Sequence, residues 1–298
     1  MSFTSILTNF FVGYTALTIG LYMLSFVVPK AAFVARSLAT YAAGCCVALI
    51  GAIASIILTL LGHQQIAQWF TARLFKYAML ATTGVTFEID DPNDYLGKTR
   101  PAVFIGNHQT ELDVLMLGCM FPKYCSVTAK SSLKHVPFLG WFMRFSGSIF
   151  IDRKNSKDAR EAMKGAAEEI QRKKQSVFMF PEGTRSYAKE PGLLPFKKGA
   201  FHLAVQAGVP IVPVVVANYS HILFVKSMVF RSGSIPVKIL EPISTKGLTP
   251  ADVDELTRAT RDSMLNEITT LTAKARGQPI AVPASSSKPS ASSTAIET

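Results

Sequence analysis

The chain has 298 residues, of which 49% are hydrophobic and 17% charged, and its mean hydropathy is +0.27. An ordinary soluble domain has about 25% charged residues, so the composition disfavours a purely soluble protein and excludes disorder as the main state. The shortage of charge is concentrated in residues 1–62, where Lys30 and Arg36 are the charged side chains. The other 236 residues hold 29 basic and 20 acidic side chains, a composition typical of a basic globular domain of net charge +9.

Two apolar segments fill the N-terminal part. Residues 10–28 are uncharged and, at 1.5 Å rise per residue, long enough to cross most of a hydrocarbon core of about 30 Å. A cleaved signal peptide is the rival interpretation, but no basic region precedes this segment and a second apolar segment follows at once. That second segment, residues 37–62, is the stronger transmembrane candidate. We therefore predict a membrane anchor over residues 1–62, with a short loop at residues 29–36.

Two crossings would place the N-terminus and the large domain on one side of the membrane and the loop on the other. A shallow hairpin in one leaflet is an alternative for the first segment. Basic residues flank both spans about equally, so the positive-inside rule gives no orientation. In the connecting segment 63–83, aromatic residues such as Trp69 stand beside Arg73 and Lys76, which fits a helix at headgroup level or a core helix of the domain.

From residue 84 onward, short β-branched or aromatic runs alternate with helical segments. This alternation predicts an α/β fold, a mostly parallel sheet flanked by helices, over residues 84–276. The composition of residues 277–298, rich in Ser, Pro and Ala, predicts a disordered tail. Strands are predicted at residues 85–89, 102–105, 125–128, 148–151, 176–180, 211–216 and 236–240. Helices are predicted at residues 112–120, 138–145, 157–174, 199–207 and 251–274.

The cysteines do not point to a metal site or a disulfide framework. Cys45, Cys46, Cys119 and Cys125 lack CxxC spacing, and we interpret them as buried thiols. The sequence also contains no GxGxxG, P-loop or GxSxG motif, which argues against a nucleotide cofactor and against a nucleophile elbow. We therefore expect no metal and no bound cofactor.

A first polar motif, GNHQTELD at residues 106–113, follows the second predicted strand. His108 precedes Asp113 by five positions, which on a continuous helix would turn the two side chains about 140° apart. They can meet if His108 lies in the loop before the helix. Asp113 would then accept a hydrogen bond from Nδ1 and leave Nε2 as a general base. Loop hydrogen bonding or a helix cap is the alternative interpretation.

A second motif, FPEGTRS at residues 180–186, follows another apolar run. Gly183 permits close backbone approach, Thr184 offers a hydroxyl, and Arg185 can bind a phosphate through paired donors. Glu182 could orient Arg185 or a substrate hydroxyl. A turn that contains an ion pair is the alternative.

Other charged residues follow strand and helix ends. Asp152 and Arg153 end the strand predicted at residues 148–151, where they either face one crevice or form an ion pair at the sheet edge. Residues 209–214 are best explained as a buried strand without a direct role in chemistry. Two pairs of lysines either contact phosphate groups or are solvated, namely Lys130 with Lys134 and Lys197 with Lys198.

In this order and spacing, the motifs resemble those of the glycerolipid acyltransferase family, specifically its lysophosphatidate (1-acyl-sn-glycerol-3-phosphate) acyltransferases. The resemblance covers residues 104–214 and is most specific where NHQTELD and FPEGTR occur together. It implies that His108 is the catalytic base and that Asp113 orients it. It also implies that residues 182–185 bind the glycerol phosphate of the acceptor, helped by Arg153 in the block FIDR.

The implied reaction moves a fatty acyl group from acyl-CoA to the sn-2 hydroxyl of 1-acyl-sn-glycerol 3-phosphate and gives phosphatidic acid. We expect direct attack on the thioester without an acyl-enzyme, and acyl-CoA as a co-substrate rather than a cofactor. A phospholipid membrane is the expected partner, because the acceptor is a lipid. An endoplasmic reticulum location with the catalytic domain facing the cytosol follows from the cytosolic supply of acyl-CoA.

Two other functions are compatible with the sequence. The first is an enzyme of the same fold that uses glycerol 3-phosphate or a lysophospholipid with a head group. The second is a non-catalytic membrane adaptor or a nucleic-acid-binding protein. Nucleic-acid binding would require Lys and Arg interleaved with exposed aromatics, whereas the aromatics here lie mostly in apolar runs, so we expect no nucleic-acid partner. No pattern specifies an oligomeric state.

Overall fold

The structure is a computed structural model that describes residues 2–152 and 156–278. Two predictions lie outside the described residues, the role of Arg153 and the disorder of nearly all of the tail at residues 277–298. Both stay predictions.

Two long helices, α1 (Phe3–Leu24) and α2 (Pro29–Leu60), form the N-terminal part. Both are long and apolar enough to cross a membrane. The expected loop at residues 29–36 is wrong, because these residues form the first two turns of α2. Pro29 explains this start, since its fixed φ angle and missing N–H suit the first turn of a helix.

One face of α2 packs along a third helix, α3 (Ala67–Thr83). At Gly51 the two helices approach so closely that a Cβ atom would lie 2.6 Å from Thr71 Cγ2. Small residues permit such close contact between helices. The buried residues of α2 are Ala31, Ala35, Val47, Ala48, Gly51, Ala52 and Ser55. α2 is therefore part of the packed body of the protein, whereas α1 packs on α2 and buries none of its own residues.

The cysteines are free thiols. Cys125 is buried as predicted, and Cys119 is half-buried. The prediction of burial is wrong for Cys45 and Cys46, which are exposed on α2 because the packed stripe of this helix lies on another side.

The helix α3 joins the anchor to the sheet. Its Gln68 is buried, donates to the Ser146 carbonyl (3.1 Å) and accepts from the Val127 N–H (2.9 Å). On the opposite face Tyr77 is exposed. These contacts show that the segment packs on the domain, and its position at headgroup level stays a prediction.

The domain is built on a seven-stranded sheet with the order β1-β9-β6-β2-β5-β3-β4. Every neighbouring pair is parallel except β6 and β9, which are antiparallel. The fold class is therefore confirmed as α/β with a mostly parallel sheet. The strands are β1 (Val85–Asp90), β2 (Val103–Gly106), β3 (Cys125–Lys130), β4 (Ile149–Ile151), β5 (Ser176–Met179), β6 (Ile211–Val216), β7 (Leu223–Phe224), β8 (Val229–Phe230) and β9 (Gly233–Ile239). The remaining helices are α4 (Tyr95–Lys98), α5 (Asp113–Met120), α6 (Leu139–Phe145), α7 (Ser156–Lys173), α8 (Gly199–Ala207) and α9 (Val253–Ala275).

Both faces of the sheet are covered. On one face α3 and α5 pack through Met79 and Leu115 against the side chains of Phe104 and Phe178. On the other, α7, α8 and α9 cover the alternate residues of the same strands, with Phe201 among the fully buried side chains. Burial on both faces explains why β2, β5 and β6 are continuous apolar runs, since every residue of these strands is buried.

An excursion between β6 and β9 carries the small hairpin β7–β8, which is separate from the main sheet. The hairpin is docked against α2, because Arg36 Nη1 donates to the Phe230 carbonyl (2.5 Å) and the Phe33 ring lies 6.4 Å from the Phe230 ring. Its two-residue strands were not predicted. The hairpin therefore links the anchor to the edge of the sheet where β6 ends.

Candidate active site

Parallel pairing brings both sequence motifs to one edge of the sheet. β2 and β5 are neighbours in register, with Ile105 opposite Met179, so the segments that follow them leave the sheet side by side. The two segments then pair with each other, because Ser186 N–H donates to the His108 carbonyl (2.9 Å) and Tyr187 N–H donates to the Gln109 carbonyl (3.1 Å). The motifs thus form one structural unit.

His108 and Asp113 are in direct contact. Asp113 is the first residue of α5 and is fully buried, whereas the His108 side chain is 17% exposed. His108 Nδ1 lies 2.7 Å from Asp113 Oδ2, which also accepts from the backbone N–H groups of Gln109 (2.6 Å) and Thr110 (3.2 Å). The loop position expected for His108 is confirmed. A buried carboxylate with these donors is fixed in place and fixes the Nδ1–H tautomer of its partner.

The His108 ring is held from its face as well. Phe180, at the start of the second motif, stacks on it with ring centroids 4.1 Å apart and planes 16° apart. Phe180 in turn meets the Phe178 ring edge-on at 5.2 Å. Nε2 of His108 has no hydrogen-bond partner among residues 2–152 and 156–278, so this nitrogen is free to act on a substrate.

Glu182 ties the two motifs together through the backbone. It is buried, and its Oε1 accepts from the His108 N–H (2.7 Å) while Oε2 accepts from the Leu194 N–H (2.9 Å). Burial raises the pKa of the Glu182 carboxyl, and the two N–H donors partly oppose that rise. The structure does not support the prediction that Glu182 orients Arg185, because in the described part of the chain the guanidinium bonds Glu111 and Tyr187 and not Glu182.

Arg185 pairs instead with Glu111, a residue of the first motif that sequence reasoning did not single out. Arg185 Nη1 lies 2.9 Å from Glu111 Oε1, and the Tyr187 hydroxyl donates to the same oxygen (2.7 Å). Both side chains of the ion pair are more than a third exposed, whereas Arg185 Nε is buried without a hydrogen-bond partner in the described part of the chain. Because the Arg185 side chain is partly exposed, it can bind a further anion.

Lys197 lies against the glycine of the second motif. Gly183 has φ +71°, and a Cβ there would lie 2.9 Å from Lys197 Cε. The Lys197 N–H also donates to the Pro181 carbonyl (2.8 Å), which fixes the approach of this segment. Gly183 is thus required both for its backbone conformation and for the close passage of the lysine.

The other predicted contacts are more remote. Lys198 pairs with Asp254 (2.7 Å), and Lys134 lies over the Phe150 ring at 4.9 Å, so neither is aimed at the two motifs. Lys130 is exposed at the end of β3, and Thr184 is exposed in the second motif. The substrate contacts of Lys130 and Thr184 stay predictions.

Tyr219 is a further residue that sequence reasoning missed. It follows β6, outside both motifs, and its hydroxyl donates to Asp113 Oδ1 (2.7 Å). No local pattern could have revealed it, because the contact joins positions 106 residues apart.

A cavity of about 670 Å³ opens beside the first motif. It lies between α2, α3 and the β7–β8 hairpin, and Gln109 and Glu111 form part of its rim. Its walls are mostly apolar and include Phe33, Phe75, Leu115, Leu223, Phe224 and Phe230. Within residues 2–152 and 156–278, no group of three or more His, Cys, Asp or Glu side chains could hold a metal ion.

Comparisons with known proteins identify the family. A model of the acyltransferase family matches residues 89–217. A 1-acyl-sn-glycerol-3-phosphate acyltransferase of Saccharomyces cerevisiae is 46% identical over 226 residues, which are 76% of this chain and 73% of the yeast protein. The human 1-acyl-sn-glycerol-3-phosphate acyltransferase beta is 41% identical over 208 residues, 68% of this chain and 72% of the human protein.

The fold is also similar to a solved structure, the 1-acyl-sn-glycerophosphate acyltransferase PlsC of Thermotoga maritima. That likeness has a TM-score of 0.59 at 21% identity and covers 86% of this chain and 96% of the bacterial one. The sequence matches confirm the resemblance carried by the two motifs: the chain belongs to the acyltransferase family of which these 1-acyl-sn-glycerol-3-phosphate acyltransferases are members.

Proposed function

We propose that this enzyme transfers a fatty acyl group from acyl-CoA to the sn-2 hydroxyl of 1-acyl-sn-glycerol 3-phosphate, with His108 as general base and Asp113 as its partner. The observation that carries the proposal is the contact between His108 and the buried Asp113 at the sheet edge, in a chain whose relatives are named for this acceptor.

The chemistry balances without a protein nucleophile. Nε2 of His108 takes the proton of the acceptor hydroxyl, and the hydroxyl oxygen forms a bond to the thioester carbonyl carbon. The tetrahedral intermediate then collapses with cleavage of the carbon–sulfur bond. The departing CoA thiolate takes the proton from His108, so that Nε2 is a base again. Asp113 stabilises the imidazolium that exists between the two transfers.

Arg185 and Lys197 are the proposed partners of the acceptor phosphate. A partly exposed ion pair contributes little free energy, so a phosphate can replace Glu111 as the partner of Arg185 at small cost. The Lys197 ammonium lies beside Gly183, which belongs to the same motif as Arg185. We keep Lys130, Arg153, Glu182 and Thr184 as predicted contributors, Glu182 through its bonds to the backbone.

The apolar cavity beside Gln109 is the proposed place for an acyl chain, because its walls are aromatic and aliphatic and its rim reaches the first motif. The two apolar helices α1 and α2, of which α2 lines the cavity, suit a membrane-bound enzyme whose acceptor stays in the leaflet. We propose an endoplasmic reticulum membrane with the site facing cytosolic acyl-CoA. The basic domain suits two anionic substrates and an anionic leaflet.

CoA release by the purified full chain in lipid or detergent tests this proposal. With oleoyl-CoA and lysophosphatidate we expect turnover, and we expect His108→Ala to lower it by about 10²- to 10⁴-fold, the usual contribution of a general base. His202→Ala, which changes an exposed histidine of α8, is the matched control and should keep full turnover.

The same assay with glycerol 3-phosphate and lysophosphatidylcholine decides the acceptor. A preference for either would contradict lysophosphatidate as substrate while leaving His108 as the base. Wild-type turnover by His108→Ala would show that His108 is not the base. A folded wild-type protein that is inactive with all three acceptors would favour the non-catalytic adaptor.

A further inference from the structure

Asp113 depends on a residue outside the family motifs. Its carboxylate is completely buried and has two oxygens with different partners. Oδ2 serves His108 and the backbone N–H groups of Gln109 and Thr110, whereas Oδ1 accepts from the Tyr219 hydroxyl at 2.7 Å. A bond on Oδ1 fixes the rotation of the carboxylate about χ2, and that rotation decides whether Oδ2 faces His108 Nδ1.

The Tyr219 hydroxyl is itself held in one orientation. The Thr110 N–H donates to its oxygen (3.1 Å), and Thr110 Oγ1 lies 3.0 Å from the same oxygen. Because a carboxylate oxygen can only accept, the hydroxyl hydrogen points to Asp113 Oδ1, and the hydroxyl oxygen accepts from Thr110. Burial raises the pKa of Tyr219 well above its ordinary value, and the nearby Asp113 charge raises it further, so the hydroxyl stays a donor at neutral pH.

The tyrosine ring is as firmly placed as its hydroxyl. Tyr219 has no exposed surface, and its ring meets the Phe87 ring of β1 edge-on, with centroids 6.3 Å apart and planes 88° apart. A ring fixed in this way cannot follow Asp113 if the carboxylate rotates. The hydroxyl is therefore fixed in position and restricts the rotation of the carboxylate.

We propose that Tyr219 is a positioning residue that holds the Asp113 carboxylate in the orientation from which it directs His108, so that the hydrogen-bonded series runs from Tyr219 through Asp113 to His108. This inference rests on the proposed function, because the orientation of Asp113 affects catalysis only if His108 is the base. It assigns to the segment after β6 a part in catalysis that neither motif contains.

The variant that tests it is Tyr219→Phe, which removes the hydroxyl and keeps the ring. We expect kcat to fall by about tenfold, which is the loss of one hydrogen bond to a charged group, with little change in the KM of either substrate. The acid limb of the kcat/KM profile, recorded between about pH 5 and 9 where histidines gain their proton, should move to lower pH. The reason is that an Asp113 carboxylate that no longer faces Nδ1 stabilises the imidazolium form less.

Two controls separate positioning from a merely structural role. Tyr95→Phe removes a tyrosine hydroxyl that is bonded to Asn93 near the opposite end of the sheet, and it should leave kcat and the pH profile unchanged. Phe87→Leu removes the ring partner of Tyr219 and keeps its hydroxyl. It should lower the melting temperature without moving the acid limb, because Thr110 still holds the Tyr219 hydroxyl in place. The proposal is wrong if both Tyr219→Phe and Phe87→Leu lower kcat in proportion to the decrease in melting temperature and neither moves the acid limb. Tyr219 would then have a structural role only.

A double-variant cycle with Asp113→Asn completes the test. If Tyr219 acts through Asp113, Tyr219→Phe should have almost no further effect on kcat once the carboxylate has been replaced. A full additional loss in that background would overturn the series. The variant His108→Ala tests the base itself. If His108→Ala loses turnover and Tyr219→Phe has no effect, the positioning role of Tyr219 is rejected and the proposed function stands. If His108→Ala stays active, the proposed function is rejected.

Discussion

At the scale of single residues, the site is held together by buried carboxylates that serve backbone donors. Asp113 and Glu182 are both buried, and each accepts from N–H groups of the loop that carries His108. Glu182 also accepts from Leu194, twelve positions away, so that one side chain links three segments. Such a carboxylate costs desolvation but removes two unpaired N–H groups from the interior.

Glu182→Gln tests this linking role. An amide presents one acceptor and one donor, so one of the two backbone N–H groups faces an NH₂ group and loses its partner. We expect a loss of about 1–3 kcal/mol in the free energy of unfolding and a lower kcat, because the His108 backbone is released. Glu88→Gln, at an exposed position of β1, is the matched control and should change little.

The pH dependence of that loss has a defined sign. Since burial raises the pKa of Glu182, the native state keeps this proton more tightly than the unfolded chain. The contribution of Glu182 to stability therefore falls as pH rises from its ordinary value of 4.5 up to the raised pKa. Glutamine has no such titration, so the deficit of Glu182→Gln in melting temperature should be smaller at neutral pH than at acid pH. A deficit that grows with pH would contradict a raised pKa.

At the scale of elements, the sequence predicts regular structure well and long-range partners poorly. All seven strands of the main sheet overlap the runs that predict them. For β2, β5 and β6 the reason is that strands buried on both faces need continuous apolar residues. The hairpin β7–β8 has strands of two residues, too short to show any periodicity. The resemblance to the family implied the pairing of His108 with Asp113, which their spacing permits when His108 lies in a loop. The contact of Tyr219 with Asp113, in contrast, depends on how β6 and α5 pack. The partner of Arg185 was also not predictable, because Glu182 belongs to the same motif, whereas Glu111 lies 74 positions away and meets Arg185 through the pairing of the two motifs.

The contact of α2 with α3 gives a prediction at this scale. Gly51→Ala would place a Cβ 2.6 Å from Thr71 Cγ2 and 3.0 Å from Phe142 Cδ2, and Thr71 is held by its bond to the Ala67 carbonyl (2.9 Å). Overpacking of this kind costs about 1–3 kcal/mol. We expect a lower melting temperature and a lower kcat, because α2 forms one wall of the apolar cavity.

Gly44→Ala is the matched control, since it changes a glycine of the same helix that has no atom within 4 Å of the added Cβ. Alanine is the better helix former by about 1 kcal/mol, so this variant should be as stable as the wild type or more so. Equal melting temperatures for the two variants would show that α2 does not pack on α3 at Gly51.

At the scale of the whole molecule, α2 is attached to the domain near both of its ends. Beside its start, Arg36 bonds the Phe230 carbonyl and Tyr22 of α1 bonds the Thr82 carbonyl of α3. Just beyond its end, Gln64 Nε2 donates to the Phe145 carbonyl at 3.0 Å. An upright crossing by α2 would therefore draw α3, α6 and the β7–β8 hairpin into the hydrocarbon. We infer that the pair of helices enters a single leaflet, an arrangement that the sequence left open for the first apolar segment, whereas it predicted a crossing for the second.

Cysteine accessibility in sealed microsomes distinguishes the two arrangements. In a chain with all four native cysteines replaced by alanine, Lys189→Cys should react with a membrane-impermeant maleimide from outside, because Lys189 is exposed near the site and the site is proposed to face the cytosol. Phe26→Cys marks the turn between α1 and α2, where Phe26 is 86% exposed in the structure. A pore-forming agent can then admit the reagent to the lumen without dissolving the membrane. If the turn stays in the cytosolic leaflet, labelling of Phe26→Cys should not increase after the pore forms. New labelling of Phe26→Cys through the pore would establish two full crossings, and protection of Lys189→Cys until the pore opens would place the active site in the lumen.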